Sequence, residues 1–276
     1  MSAPLDPAAA ELGAICVAAA EAGAKILREK FHQPRDIQLK GRIDLVTDAD
    51  RAAEETVLRL LAERAPGVAV LAEESGAHAG SGSLRFIVDP LDGTTNYAHG
   101  IPLFACTVAV EAGGQVLAGC TVDPVRGERF RALRAGGAWS RIGDGPERLL
   151  RVSVRAQTLG EALVCTGFPY DHRERLPEML SAWGRMTELA RGTRRMGSAA
   201  LDLAYLAAGR LDCFWELGLK AWDVAAGVLL VEEAGGLVTR FDGAPLDLAG
   251  GEIVACPRGL QPQVLEVLAA ARQIYA

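Results

Sequence analysis

Two carboxylates, Asp89 and Asp92, bracket a proline in the segment Asp89-Pro-Leu-Asp92-Gly-Thr-Thr-Asn96. Pro90 fixes its own φ and has no amide hydrogen to donate, so the turn is stiff and the two acids are held close. Leu91 then points its side chain away and leaves its carbonyl free to face the same centre. An all-oxygen set of this kind suits magnesium, which prefers carboxylates, carbonyls, water and phosphate to nitrogen or sulfur. Gly93 allows close backbone approach, and the amides of Gly93, Thr94 and Thr95 form a run that an anion can occupy. Taken alone, the same residues also make an ordinary Asx-capped turn. Two distant acidic groups shift the balance. Glu73-Glu74 follows one apolar run, and Trp222-Asp223 follows another at the mouth of a helix. Each by itself reads as a solvated charge pair or a helix N-cap. A turn needs neither of them, and the combination points to a metal site. A calcium loop starting at Asp48-Ala-Asp50 is excluded, because Ala53 stands where glycine is required and no glutamate closes the loop.

The elements that must carry these groups follow from periodicity. Apolar residues at three- and four-residue steps predict an amphipathic helix over 7–31, stopped by Pro34. A second helix is predicted over 48–64, capped by Thr47 and ended by Pro66-Gly67. Short apolar runs at 68–71 and 84–88 then read as strands, followed by a meander of antiparallel strands at 104–111, 116–122 and 128–133. Beyond the polar stretch 141–148, strands at 162–166, 211–216, 237–241 and 252–255 alternate with helices near 173–190, 198–208, 223–234 and 260–274. Such alternation predicts sheets covered by helical layers. The organisation expected is an N-terminal α+β half, 1–148, and a C-terminal α/β half, 149–276. The acidic groups fall at strand-to-loop or loop-to-helix junctions, where open α/β sheets place ligands.

Composition sets the frame. With 276 residues, half of them hydrophobic and 23% charged, the chain can bury a sizeable core and is not disordered. Twenty-nine Lys and Arg stand against 35 Asp and Glu, a net charge of −6 with no long basic run, so binding of nucleic acid is not expected. The six cysteines have no zinc or thioredoxin-like spacing and read as reduced core thiols. No signal peptide is seen at residues 1–10, and Glu11, Glu21, Lys25 and Arg28 break the first helix as a membrane span. A soluble cytoplasmic protein is expected.

The motifs resemble those of the inositol monophosphatase family. They are Ile43-Asp-Leu-Val-Thr-Asp-Ala-Asp50, Leu71-Ala-Glu-Glu-Ser75, Val88-Asp-Pro-Leu-Asp-Gly-Thr-Thr-Asn96, and Trp222-Asp-Val-Ala-Ala-Gly227 through Glu233-Ala-Gly-Gly236. The stretch Arg194-Arg-Met-Gly-Ser-Ala-Ala-Leu-Asp-Leu-Ala204 is similar to the bacterial inositol-1-monophosphatase branch. The likeness covers roughly residues 10–270. It implies a layered α-β-α-β-α sandwich of the sugar-phosphatase type shared with fructose-1,6-bisphosphatases, with both halves forming one catalytic unit. It further implies a homodimer and a magnesium-dependent, lithium-sensitive phosphate monoester hydrolase.

Residue by residue, the resemblance places Glu73, Asp89 and the Leu91 carbonyl on one magnesium. Asp89, Asp92 and Asp223 would hold a second, with Glu73 helping a third through water. Thr94 and Asp50 match the pair that activates the attacking water, and Gly93, Thr94 and Thr95 match the phosphate-cradling backbone. Glu216 matches a residue accepting hydrogen bonds from substrate hydroxyls, Ser198 and Ala199 match the pocket lining, and Lys40 is similar in position to a lysine near the site. The loop 167–175 lies over the pocket or belongs to a dimer contact. His32, His78, His99 and His172 match no catalytic position.

This agrees with the chemistry of the residues. A phosphate monoester is a dianion, so cations on the attacking and leaving oxygens lower its barrier, and a bridging carboxylate such as Asp89 holds two of them together. Thr94 can relay a proton only if Asp50 accepts from it. Five carboxylates, Asp50, Glu73, Asp89, Asp92 and Asp223, are therefore expected to converge on one pocket. The expected substrate is inositol monophosphate or a similar small polyol phosphate. Alternatives are histidinol phosphate, fructose-1,6-bisphosphate or a nucleotide bisphosphate, which share the metal motifs. Glu216 favours a polyol, and no basic cluster for a second phosphate follows Trp222-Asp223. A regulatory role toward a further partner is a third reading, against which the complete set of acids argues.

Overall fold

The computed structural model describes residues 7–33, 37–39, 45–169 and 175–273. Lys40, His172 and most of the loop 167–175 lie outside the described residues. Helix α1 (Pro7–Lys30) precedes a ribbon of β1 (Ile37–Leu39) and β2 (Leu45–Thr47), and α2 (Asp48–Arg64) follows without a break. Thr47 caps α2, its hydroxyl oxygen accepting from the Ala49 amide while Asp50 accepts from the Thr47 amide at 2.8 Å.

Next come β3 (Ala69–Ala72), β4 (Gly76–His78), β5 (Leu84–Asp92), the short helix α3 (Thr94–Ala98), β6 (Ala105–Ala112), β7 (Gln115–Asp123), β8 (Glu128–Leu133), β9 (Gly137–Ile142) and β10 (Arg148–Leu149). They form an eight-stranded sheet in the order β10-β9-β8-β7-β6-β5-β3-β4. Every pairing is antiparallel except β3 with β5. The predicted meander is present and is longer than the sequence indicated.

The remaining chain gives β11 (Leu163–Thr166), α4 (Leu176–Leu189), β12 (Gly192–Arg194), α5 (Ala199–Ala207), β13 (Cys213–Leu217), α6 (Ala221–Glu233), β14 (Leu237–Thr239), β15 (Glu252–Cys256) and α7 (Gln261–Gln273). Its strands form a mixed five-stranded sheet, β12-β11-β13-β15-β14. Side chains alternate across both sheets, which sorts most of them into three large cores. On β5, Phe86 and Val88 join α1 and α2, while Ile87 faces α5 and α6. On β13, Phe214 faces α5 and α6, while Cys213, Trp215 and Leu217 pack with α4 and α7. The layers are therefore α1/α2, large sheet, α5/α6, small sheet and α4/α7, the α-β-α-β-α sandwich. All six cysteines are free and buried.

Two differences from the sequence reading matter for the site. The predicted strand 84–88 continues to Asp92, so Asp89-Pro-Leu-Asp92 is no turn beyond the strand. Asp89 pairs with Thr107 and Asp92 with Ala105, with an irregularity between them. Pro90 cannot donate to a ladder, and a bulge absorbs it while the strand resumes on the far side. Helix α6 starts at Ala221, so Asp223 occupies its third position and its Oδ2 accepts from the Lys220 amide at 2.6 Å.

Candidate active site

The bulge in β5 and the first turn of α6 present three carboxylates to one point. Asp89, Asp92 and Asp223 each offer an oxygen, and these oxygens all lie within 4.8 Å of one another. Asp89 and Asp92 are buried. Burial, then the charges of Glu73, Asp92 and Asp223, and a hydrogen bond with Glu73, hold the Asp89 carboxyl well above its usual range. Asp223 is raised first by burial and then by Asp92, and Lys220 relieves it only in part. Burial also raises Asp92, against hydrogen bonds from Ser198, Ala200 and Ala199, and leaves it at about 6. Asp89 is braced by the Leu91 amide, which donates to its Oδ1 at 2.9 Å.

Beside this cluster sits the pair Thr94 and Asp50. Thr94 Oγ1 lies 3.1 Å from Asp50 Oδ1 and 3.0 Å from the Leu91 carbonyl, so its one proton is shared between two acceptors. Asp50 is fully buried, and its other oxygen takes the Thr47 hydroxyl at 2.6 Å. Helix α2 does a second job one turn later. Glu54, four residues on and 4% exposed, accepts from the amides of Glu74 and Ser75 at 2.9 Å each. One helix face thus orients the aspartate facing Thr94 and clamps the turn that carries Glu73. Glu54 was missed in the sequence; its signal was the i, i+4 spacing from Asp50.

The C-terminal half closes the site from the other side. Ser198 caps α5 and donates its hydroxyl to Asp92, which also accepts from the Ala200 amide at 2.8 Å. Ser198 and Ala199 therefore stand against the acidic cluster. Glu216 is buried at the end of β13, raised by burial and then by the charges of Asp202, Asp223 and Asp92. A Cβ on Gly167 would lie 2.3 Å from both Glu216 carboxylate oxygens, so only glycine there admits the carboxylate. Gly93 has φ +94°, and a Cβ would stand 3.0 Å from the Leu103 carbonyl and 3.1 Å from that of Gly197. Asn96 ties the halves together, donating to the carbonyls of Leu103 and Met196 at 2.8 Å each. Asp202, also missed in the sequence, is buried on α5 beside Cys165 with its Oδ1 unpartnered.

Buried acids gathered with raised proton affinity are equally a cradle for a divalent cation, and their donors are all hard oxygens. The site fits such an ion. A layered sandwich holding this acidic cluster beside a threonine–aspartate pair defines a metal-dependent phosphatase. Residues 9–275 match the inositol monophosphatase family, and the chain belongs to that family. It is 43% identical over 260 residues to the inositol-1-monophosphatase of Mesorhizobium japonicum, covering 93% of this chain and 95% of that protein. It is 46% identical over 217 residues to the Nus factor SuhB of Pseudomonas aeruginosa, covering 77% of this chain and 78% of that one. The crystal structure of the extragenic suppressor protein suhB from Bartonella henselae matches with a TM-score of 0.85 at 38% identity, over 92% of this chain and 97% of that chain. The protein is a phosphatase. Among the described residues no helix is long and apolar enough to cross a membrane.

Proposed function

We propose that the enzyme hydrolyses inositol monophosphate, or a similar small polyol phosphate, with two or three magnesium ions. The convergence of Asp89, Asp92 and Asp223 within 4.8 Å carries this reading. Glu73, Asp89 and the Leu91 carbonyl would hold one ion, and Asp89, Asp92 and Asp223 a second, with Glu73 assisting a third through water. When bound, magnesium supplies positive charge to the attacking and leaving oxygens and acidifies water.

The chain's own residues do the rest. Thr94 Oγ1 holds a proton between the incoming water and Asp50, and the Thr47 amide and hydroxyl fix the Asp50 carboxylate in place through its other oxygen. The amides of Gly93, Thr94 and Thr95 receive the phosphate oxygens. Glu216 accepts from the hydroxyls of the polyol, and Ser198 and Ala199 line the pocket beside Asp92. Both halves contribute to one catalytic unit, which we place in the cytoplasm as a lithium-sensitive homodimer.

The test is a set of specificity constants, each with magnesium, for inositol 1-phosphate, histidinol phosphate and fructose-1,6-bisphosphate. Inositol 1-phosphate is expected to be the best of the three. Preference for either of the others would overturn the polyol assignment while leaving the phosphatase in place.

A further inference from the structure

At the β10 edge of the large sheet, several strands away from the acidic pocket, a cleft of about 460 Å³ opens between β9, β10 and the segment after α5. Its wall carries Arg141, Arg148, Arg151 and Arg210 against a single acid, Glu128. On an acidic chain of net charge −6 this is a local inversion of sign.

Arginines elsewhere on the large sheet and its turns are matched. Arg85 pairs with Glu111, Arg126 with Asp123, Arg129 with Glu21 and Glu147, Arg131 with Glu147, and Arg134 with Glu232. Among the described residues, Arg210 is the one cleft arginine with an acidic partner, held by both oxygens of Glu128 and lying 4.8 Å from the Tyr205 ring. Arg141 and Arg148 have no acidic partner among the described residues, and Arg151 donates to the adjacent Leu150 carbonyl. The intervening turn carries two acids: Glu147 is taken by Arg129 and Arg131, and Asp144 lines an adjoining groove in which Glu21 and Asp144 face Lys25, Arg28, Arg129 and Arg141.

We propose that this cleft is a second ligand site, for a small phosphorylated polyanion of the diphosphate class. Guanidinium groups present planar forks that meet phosphate oxygens two at a time. Several in one cleft of this volume suit two linked phosphates better than one. The single acid is already spent on Arg210, so no carboxylate cluster is left to hold a divalent cation. The cleft binds its anion and does not hydrolyse it.

The experiment is calorimetric titration of the whole protein with inorganic diphosphate in EDTA. Without divalent metal the acidic pocket repels polyanions, so heat reports the arginine cleft. Binding that weakens with added salt is expected, together with a loss of roughly tenfold or more in the Arg141→Ala/Arg148→Ala double variant. Magnesium-supported phosphatase activity should be unchanged in that variant, since neither residue belongs to the catalytic site. No binding at millimolar diphosphate, or equal binding by the double variant, overturns the proposal. So does an arginine-dependent affinity for single-stranded RNA without any for diphosphate, which would make the cleft a nucleic-acid groove.

Discussion

Two acidic clusters in this molecule have opposite electrostatic character. Around the β5 bulge, Asp89, Asp92 and Asp223 crowd one another; burial pushes all three carboxyls up, and the charges of neighbouring acids add to it at Asp89 and Asp223. Between α4, β15 and α7, Glu178 and Glu252 face Arg175 and Arg272 instead. Arg272 donates to Glu178 at 2.8 Å and to Glu252, its guanidinium lying 5.0 Å from the Phe241 ring. Burial pushes Glu178 up, but hydrogen bonds from Arg272 and Arg175 outweigh it and leave the carboxyl below its usual value. The residue chemistry is the same in both places. A structural acid comes with its counter-ion in the chain, whereas the β5 cluster is folded into place against its own repulsion. Unmatched burial of this kind is unfavourable for stability, and it marks the place where an external cation belongs.

The largest test of that contrast removes one acid from the unmatched cluster. Asp223→Asn or Asp92→Asn should lower kcat by about 10²–10³-fold at saturating magnesium, with the far-UV circular dichroism unchanged. Each should also raise the melting temperature of the metal-free protein, because repulsion is relieved and packing is kept. Wild-type turnover in either variant would sink the metal assignment. Next in size is the metal itself. Magnesium at a hundredfold excess over its Kd should add about 2.7 kcal/mol to wild-type stability, and EDTA should remove it. A melting temperature indifferent to magnesium would place the ion elsewhere.

How much of this could be read in advance depends on the range of the signal. The spacing around Pro90 and the Trp222-Asp223 pair at the start of α6 are local, so Asp89, Asp92 and Asp223 were legible as strand-end and helix-mouth groups, and the layered fold followed from the motifs. What the sequence concealed is non-local. The bulge that keeps Asp89 and Asp92 inside β5 is defined by pairing with Thr107 and Ala105 on β6. Strand β9, Gly137–Ile142, alternates clearly in burial but carries Trp139, Arg141 and a serine, and its apolar signal is too thin to stand out. The Ser198 hydroxyl reads as pocket lining until its contact with Asp92 across the two halves is seen.

Glu54 is the same kind of long-range feature, and it yields the third prediction. It reaches the Glu74 and Ser75 amides across 20 and 21 residues of sequence. Glu54→Ala strands two amide donors, at about 1–3 kcal/mol each, and loosens the turn that carries Glu73. The magnesium concentration for half-maximal activity should rise several-fold, with a smaller change in kcat at saturation. Glu54→Gln, which keeps one carbonyl acceptor, should recover part of the loss. An unchanged magnesium dependence in Glu54→Ala would detach α2 from the placement of Glu73.

The smallest effect separates the two clusters by pH. Asp92 titrates at about 6 in the folded metal-free protein against a usual 3.8, so between those values the folded state holds a proton that the unfolded chain has lost. That contribution to stability is fully present below 3.8 and disappears as pH rises through about 6. Glu178 is lowered from 4.5, so its contribution is present above that value and disappears as pH falls. Melting temperatures taken in EDTA from pH 3 to 8 should therefore respond to the two substitutions with opposite slopes. Asp92→Asn should flatten the decline toward neutral pH, and Glu178→Gln should flatten the decline toward acid, each by a few degrees. If both variants bend the profile the same way, the matched and unmatched clusters do not differ as their partners require.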